Sequence, residues 1–286
     1  MSTLQQKIDF AVVFRVKNAN PNGDPLNGNR PRVTYDGLGE LTDVCLKRKI
    51  RNRLMEAGKP IFVQSDDNKV DKHPNLRSRA EVVLSAEKTI EGKVDKACKT
   101  WFDVRAFGQL FPFKGAAKKG KGKEGEEAGD DKGVSIGIRG PVSLQSAFSI
   151  APVGHLVTSN QITKSTSNEG DGINRQPDQM GMKHRVDHGI YVFFGSMNPQ
   201  LAEKTGFSDA DAGAIKAVLP RLFENDASAA RPEGSMEVLK VVWWQHNCKA
   251  GQYSSAKVHR TLSVKPDGSY ELASLDGLNP EELDGF

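Results

Sequence analysis

Apolar residues recur at every second position from Phe10 to Val16. Phe10, Val12, Phe14 and Val16 on one face predict a half-buried strand over residues 8–17. The opposite face carries Ala11 and Val13, then Arg15 and Lys17. The alternation stops at Asn18. From there to position 32 the chain reads Asn-Ala-Asn-Pro-Asn-Gly-Asp-Pro-Leu-Asn-Gly-Asn-Arg-Pro-Arg, with turn dipeptides at Asn22-Gly23 and Asn27-Gly28 and little to bury. Such a loop offers amide groups and open backbone N–H donors instead. A helix is predicted over residues 43–57. Thr42 is placed to cap it, Asp43 lies where the helix dipole favours an acid, and Gly58 and Pro60 end it. On a helical wheel Leu46, Ile50 and Leu54 form the buried stripe, Lys47, Arg48 and Arg51 fan along one flank, and Lys49 and Arg53 lie on the other.

Beyond Pro60 the pattern changes several times. Ile61-Phe62-Val63 fits a short strand, residues 64–69 a loop, and residues 76–87 a helix that residues 88–99 continue past an interruption at Gly92. Val104, Phe107 and Phe111 then fall at helical spacing, and this aromatic run reads as core rather than as a platform for stacking bases. Residues 114–133 have only alanine to bury and read as a flexible tether. The run 134–150 is a strong strand signal, with Val134, Ile136, Ile138, Val142, Leu144, Phe148 and Ile150 on one parity and Gly140-Pro141 marking a bend. A polar excursion over about 154–185 separates it from a second core strand at 186–194, so the two strands bracket a projecting hairpin. A capped helix at 208–224, with Ile215, Val218, Leu219 and Leu222 as its stripe, a strand at 236–244 and a hairpin at 261–272 complete the prediction.

Composition narrows the classes. The chain has 286 residues, 37% hydrophobic and 27% charged, which suits a globular protein of one or two domains. No apolar run approaches the roughly 20 residues of a membrane span. The start, Met1-Ser-Thr-Leu-Gln-Gln, lacks the pattern of a signal peptide. Cys45, Cys98 and Cys248 are odd in number and far apart, which supports neither a disulfide framework nor a zinc site and suggests a reducing, cytoplasmic compartment. Net charge is +4, but residues 15–53 hold nine basic and four acidic side chains, a local excess of +5. From Pro266 onward there are six acidic residues and no Lys or Arg, so the preceding 265 residues carry an excess of +10. Basic groups beside an amide-rich loop suit a phosphate backbone. His155, His184 and His188 have no partners at recognised ligand spacing, and no nucleophile elbow, P-loop or dinucleotide fingerprint is present.

The Asn18-to-Pro25 loop, Pro31-Arg32, Gly39, Thr42-Asp43 and Lys47-Arg-Lys-Ile-Arg-Asn52 together resemble the opening of the backbone subunit of type I CRISPR surveillance complexes (Cascade), in the RAMP superfamily. The likeness is closest to the Csd-type subunit of subtype I-C, and Asp103-Val-Arg-Ala-Phe-Gly108 is similar to the same family. The resemblance implies an α+β fold: a ferredoxin-like (RRM-like) core over residues 1–286. Its long insertions would lie at about 60–133 and 154–185, the latter a thumb-like hairpin folding over guide RNA. It further implies a non-catalytic subunit that lines up in several copies along a CRISPR guide RNA, meets target DNA through the guide and joins other Cascade subunits, with no cofactor, metal or membrane. Residues expected at phosphates are Arg15, Lys47, Arg48 and Arg51, with Asn18, Asn20, Asn22, Arg30 and Arg32 from the loop. Lys164, Arg175, Lys183 and Arg185 of the excursion would clamp the backbone across a neighbouring copy. Two alternatives stay open. One is a general single-stranded RNA binder, although the outward positions Ala11, Val13 and Arg15 lack its stacking aromatics. The other is a metal-dependent RNase using Asp24 or Asp36, because related type III subunits cleave target RNA with a loop aspartate.

Overall fold

The structure, a computed structural model, describes residues 2–113, 134–154, 157–163 and 179–286. In chain order the strands are β1 (Ile8–Ala19), the two-residue strands β2 (Gly23–Asp24) and β3 (Arg30–Pro31), and β4 (Leu38–Leu41). Helices α1 (Asp43–Glu56), α2 (Leu76–Leu84), α3 (Ile90–Thr100) and α4 (Phe102–Phe107) come next. Then come β5 (Gly108–Phe113), β6 (Val134–Arg139), β7 (Val142–Leu144), β8 (Ala147–Pro152), β9 (Val157–Thr163) and β10 (Gln179–Met197). The remainder is α5 (Pro199–Thr205), α6 (Asp209–Val218), β11 (Met236–Gln245), α7 (Ser255–His259), β12 (Leu262–Val264), β13 (Tyr270–Leu272) and β14 (Pro280–Asp284). The fold is mixed α/β around one large antiparallel sheet in the order β14-β11-β1-β10-β8-β4, with β7 and β9 also paired to β10.

The alternation read in β1 correctly gives one core face. Phe10, Val12, Phe14 and Val16 pack with Leu46, Ile50 and Leu54 of α1 and Ile215 of α6. Phe14 stacks on Tyr191 at 5.3 Å and meets Phe223 at 5.0 Å. The expectation of a solvated second face is corrected. Ala11 and Val13 are fully buried in a second core with Ile190, Val242, Trp244, Val258 and Leu278. The chain after β11 returns across the sheet and covers that face as far as Val13, so solvent reaches it only from Arg15 onward.

The segment after α1 forms, together with β6, a separate small core, where Phe62, Leu84, Trp101, Val104, Phe111, Ile136 and Ile138 meet. Phe62 lies 4.7 Å from Trp101 and 5.1 Å from Phe111, so the aromatic run is interior. Residues 61–63 are not a strand, because the N–H groups of Phe62 and Val63 donate to the Asp103 carboxylate instead of to a neighbour strand. The helical spacing of Val104, Phe107 and Phe111 holds only to Phe107, where α4 stops and Gly108 at φ +80° turns the chain into β5. The run 134–150 is three strands rather than one. At its first break Gly140 lies against α4, where a Cβ would come within 2.3 Å of the Ala106 carbonyl oxygen. The even parity survives that break, with Val142 buried, and is lost at the second, between Leu144 and Ala147, beyond which Phe148 is outward while Ala147 and Ser149 are buried. Helix α6 ends at Val218, and a single 3-10 turn over Leu219–Arg221 accommodates Pro220. The acidic C-terminus is an edge strand on β11, with Lys216 and Lys240 paired to Glu281 and Asp284. The predicted tether at 114–133 lies outside the described residues. No helix among the described residues is long and apolar enough to cross a membrane.

Candidate nucleic-acid interface

Strand β10 sets the geometry. Its second half pairs with β1 from Ile8↔Met197 to Ala19↔Val186, and its first half continues unbroken into a hairpin with β9, from Arg185↔Val157 to Gln179↔Thr163. The hairpin is therefore a direct extension of the central strand. His184 is buried at its base, with Nδ1 2.8 Å from the Thr158 hydroxyl. At this junction the uncovered end of β1 presents Arg15 and Lys17, and Lys17 stands directly across from the exposed His188. Strand β3 packs beside β10 and brings the exposed Arg30 to the same place. Lys183 and Arg185 are half-buried on the hairpin arm, Arg185 lying 3.3 Å from Asp187.

The Asn-rich loop is folded by its own amides. Asn18 takes φ +54° and points to solvent where β1 loses its regularity. Asn20 is buried, and its amide N–H donates to the Asn29 carbonyl at 2.7 Å. The Thr42 N–H and hydroxyl both donate to Asn22 Oδ1 at 3.0 Å, tying the loop to the first turn of α1. Thr42 Oγ1 in turn accepts from the Cys45 N–H, as the capping pattern predicts. Asp24 accepts from the Leu26 N–H at 3.2 Å and pairs with Arg32 at 3.3 Å. Of the loop candidates, Asn18 and Arg30 are open to a ligand, while Asn20, Asn22 and Arg32 shape the loop.

Helix α1 is less free than its wheel predicts, because neighbouring segments supply acids to both flanks. Arg51 is only 13% exposed, bonded to Asp103 at 2.8 Å with its guanidinium 5.2 Å from the Phe107 ring. Arg48 reaches Asp67 at 3.2 Å but stays open to solvent, and Lys47 pairs with Asp43 at 2.9 Å. On the other flank Lys49 is buried against Asp226, which Arg231 also meets at 3.1 Å, and Arg53 is buried against Glu56. Burial pushes the Lys49 ammonium pKa down although Asp226 opposes it, and burial pushes the Cys45 thiol up. Arg51 thus holds α4 to α1, and only Lys47 and Arg48 remain surface candidates there.

Lys164 and Arg175 lie outside the described residues. Lys17 and His188, neither of them among the residues expected at phosphates, also stand at this junction. Lys17 was visible as the last outward position of β1, whereas His188 required the strand register. Among the described residues no group of three or more His, Cys, Asp or Glu could hold a metal ion.

The assembled surface is a basic junction at the root of a β-hairpin, able to hold an extended polyanion by charge and backbone shape. A family model described as CRISPR-associated protein Cas7 matches residues 6–278. A CRISPR-associated protein Cas7 of Haloferax volcanii is 28% identical over 283 residues, covering 96% of this chain and 80% of that protein. A solved chain from a CRISPR RNA-guided surveillance complex, pre-nicking, aligns with TM-score 0.42 and 12% identity, covering 83% of this chain and 78% of its own. A second, from a CRISPR RNA-guided surveillance complex, aligns with TM-score 0.39 and 15% identity, covering 83% and 68%. With the family match extending over nearly its whole length, the chain belongs to the CRISPR-associated protein Cas7 family.

Proposed function

We propose that this protein is a guide-RNA-binding backbone subunit of a Cascade complex of subtype I-C. Several copies line up on one guide and present it to target DNA. Family membership carries the reading, and the basic junction on β10 supplies a physical means. Lys17, Arg30, Lys183 and Arg185 gather at the root of a hairpin that is continuous with the central sheet, so contacts on the arm are held by the core. Base pairing supplies sequence while the protein supplies charge and shape. Arg15, Asn18, Lys47, Arg48 and the excursion's Lys164 and Arg175 extend the phosphate-contacting set. The order β11-β1-β10-β8, with α1 and α6 against one face, supports a ferredoxin-like core. The insertions at about 60–133 and 154–185 would then sit between its first helix and second strand, and between its second and third strands. We take the subunit to be non-catalytic, because Asp24 is committed to its own turn and to Arg32.

The direct test is the salt dependence of guide binding after Lys17→Ala, Arg30→Ala and Lys183→Ala are combined. Each lost phosphate contact should flatten the slope of log K against log salt by about 0.7 for a single strand, equally for all spacer sequences. Native affinity with an unchanged slope would remove these residues from the interface.

A further inference from the structure

Residues 224–235, between Phe223 and β11, bury no apolar side chain, so the hydrophobic core does not fix their path. Polar contacts do. Ser228 and Arg231 exchange backbone hydrogen bonds at 2.8 and 3.0 Å, and the Ser235 N–H donates to the Pro232 carbonyl at 3.0 Å. Two side chains tie the segment to α1. The Asn225 amide donates to Glu56 at 3.2 Å, and Asp226 accepts from Lys49 as well as from Arg231 Nε at 3.1 Å. Lys49 is only 3% exposed. A buried ammonium stripped of its counter-charge is strongly unfavourable, so Lys49 keeps Asp226, and with it the segment, against the helix.

The segment in turn backs the basic junction. On its side of β1 the ladder with β11 ends at Val16↔Met236. Beyond that point the Lys17 N–H donates to the Ser235 carbonyl at 2.8 Å and the Asn20 N–H to the Ala230 carbonyl at 2.9 Å. These bonds bracket Asn18 at φ +54°, a conformation that a residue other than glycine keeps where its surroundings impose it. The Asn20 amide passes the restraint on by donating to the Asn29 carbonyl, next to Arg30. Strand β10 holds the opposite edge of β1. We propose that Asp226 is a positioning residue for the RNA-binding junction: through Lys49 and Arg231 it fixes the 226–235 segment, whose carbonyls set Lys17 and Arg30 toward phosphate. The inference rests on the reading of that junction as the RNA site.

Lys49→Met combined with Asp226→Asn removes the ion pair without changing net charge or leaving a buried charge unpaired, so the protein should fold. Arg231→Gln breaks the tie from within the segment, at a partly exposed side chain, and is the milder variant. In both, hydrogen exchange should quicken at the Lys17 and Asn20 amides while Val12 and Phe14 keep their native protection. Binding of one copy to guide RNA gives the second readout. Lys17→Ala should flatten the slope of log K against log salt by about 0.7 in the native protein, and by clearly less in the Lys49→Met/Asp226→Asn background, where Lys17 is already displaced. A residue that only stabilised the fold would leave the effect of Lys17→Ala the same in both. Should the paired variant not fold, the same comparison in Arg231→Gln decides. An equal effect of Lys17→Ala in both backgrounds, or native exchange at Lys17 and Asn20, would overturn the positioning role and leave the junction standing as the RNA site. A native slope untouched by Lys17→Ala would remove Lys17 from the RNA site, and the positioning role with it.

Discussion

Asn22 shows how a loop side chain can serve function without touching a ligand. Its Oδ1 accepts from both the N–H and the hydroxyl of Thr42, so it fixes the loop against the start of α1. Asn22→Ala should lower stability by about 1–3 kcal/mol, the range for leaving such partners unsatisfied, and should weaken RNA binding through a loosened loop. Urea denaturation and a binding isotherm check both, and an unchanged midpoint would contradict the role. Asp9 is a second such residue. Burial raises its carboxyl pKa, but hydrogen bonds from His246, His259 and Ser255 and the charge of Lys7 outweigh that and hold it well below the usual carboxylate range. A carboxylate with a depressed folded pKa contributes stability that is complete above the unfolded value of about 3.9 and is lost as pH falls from there toward the folded value. Asp9→Asn should therefore be less stable at pH 7 and show a shallower decline below about pH 4, measured as urea midpoints across pH. A parallel decline in both proteins would assign the acid limb elsewhere. Asp24→Ala and Asp36→Ala should remove no RNA-cleaving activity. Divalent-dependent cutting of complementary RNA by the native protein, lost in either variant, would restore the RNase alternative. At this scale the sequence was readable where partners are close in the chain, as for Thr42 and Cys45. It was silent where they are distant, as for Arg51 and Asp103 or Asp9 and His246, because only tertiary packing brings those groups together.

Strand β10 extends from the core into the hairpin, and two polar segments of the sequence are expected to behave differently when altered. Deleting residues 116–131 removes glycine and charge from a segment with nothing apolar beyond alanine. Loop-closure entropy changes by only about 0.6 kcal/mol per doubling of length, so the protein should fold and load guide RNA almost as before. Replacing residues 158–182 with a short Gly/Ser turn should also leave a folded monomer, because Tyr191 and Phe193 keep their places in the core. That second variant should fail to form an ordered multi-copy assembly on a guide. Size-exclusion chromatography and negative-stain imaging compare the two, and equal assembly by both would reduce the excursion to a surface loop. Long periodic elements such as β1, α1 and β11 were legible because burial on a face imposes a period. The second core was not, since Ala11 and Val13 look the same whether solvent or the returning C-terminal segment covers them. Strand β14 was missed for a related reason: Pro-Glu-Glu-Leu-Asp carries little apolar signal, and the pairing with β11 makes it a strand.

For the whole molecule, the acidic C-terminus is part of the sheet rather than a free arm, and its acids meet Lys216 and Lys240. The basic excess is therefore judged at the β1–β10 junction and not from net charge. On the proposed function, this junction holds one defined RNA, a CRISPR guide, shared by several copies of the chain. Purification from its native host at moderate salt, followed by sequencing of the RNA that accompanies it, decides the point. Repeat–spacer transcripts of a single length, bound by more than one copy per RNA, are expected. Heterogeneous cellular RNA, with no enrichment of repeat–spacer sequence, would contradict it.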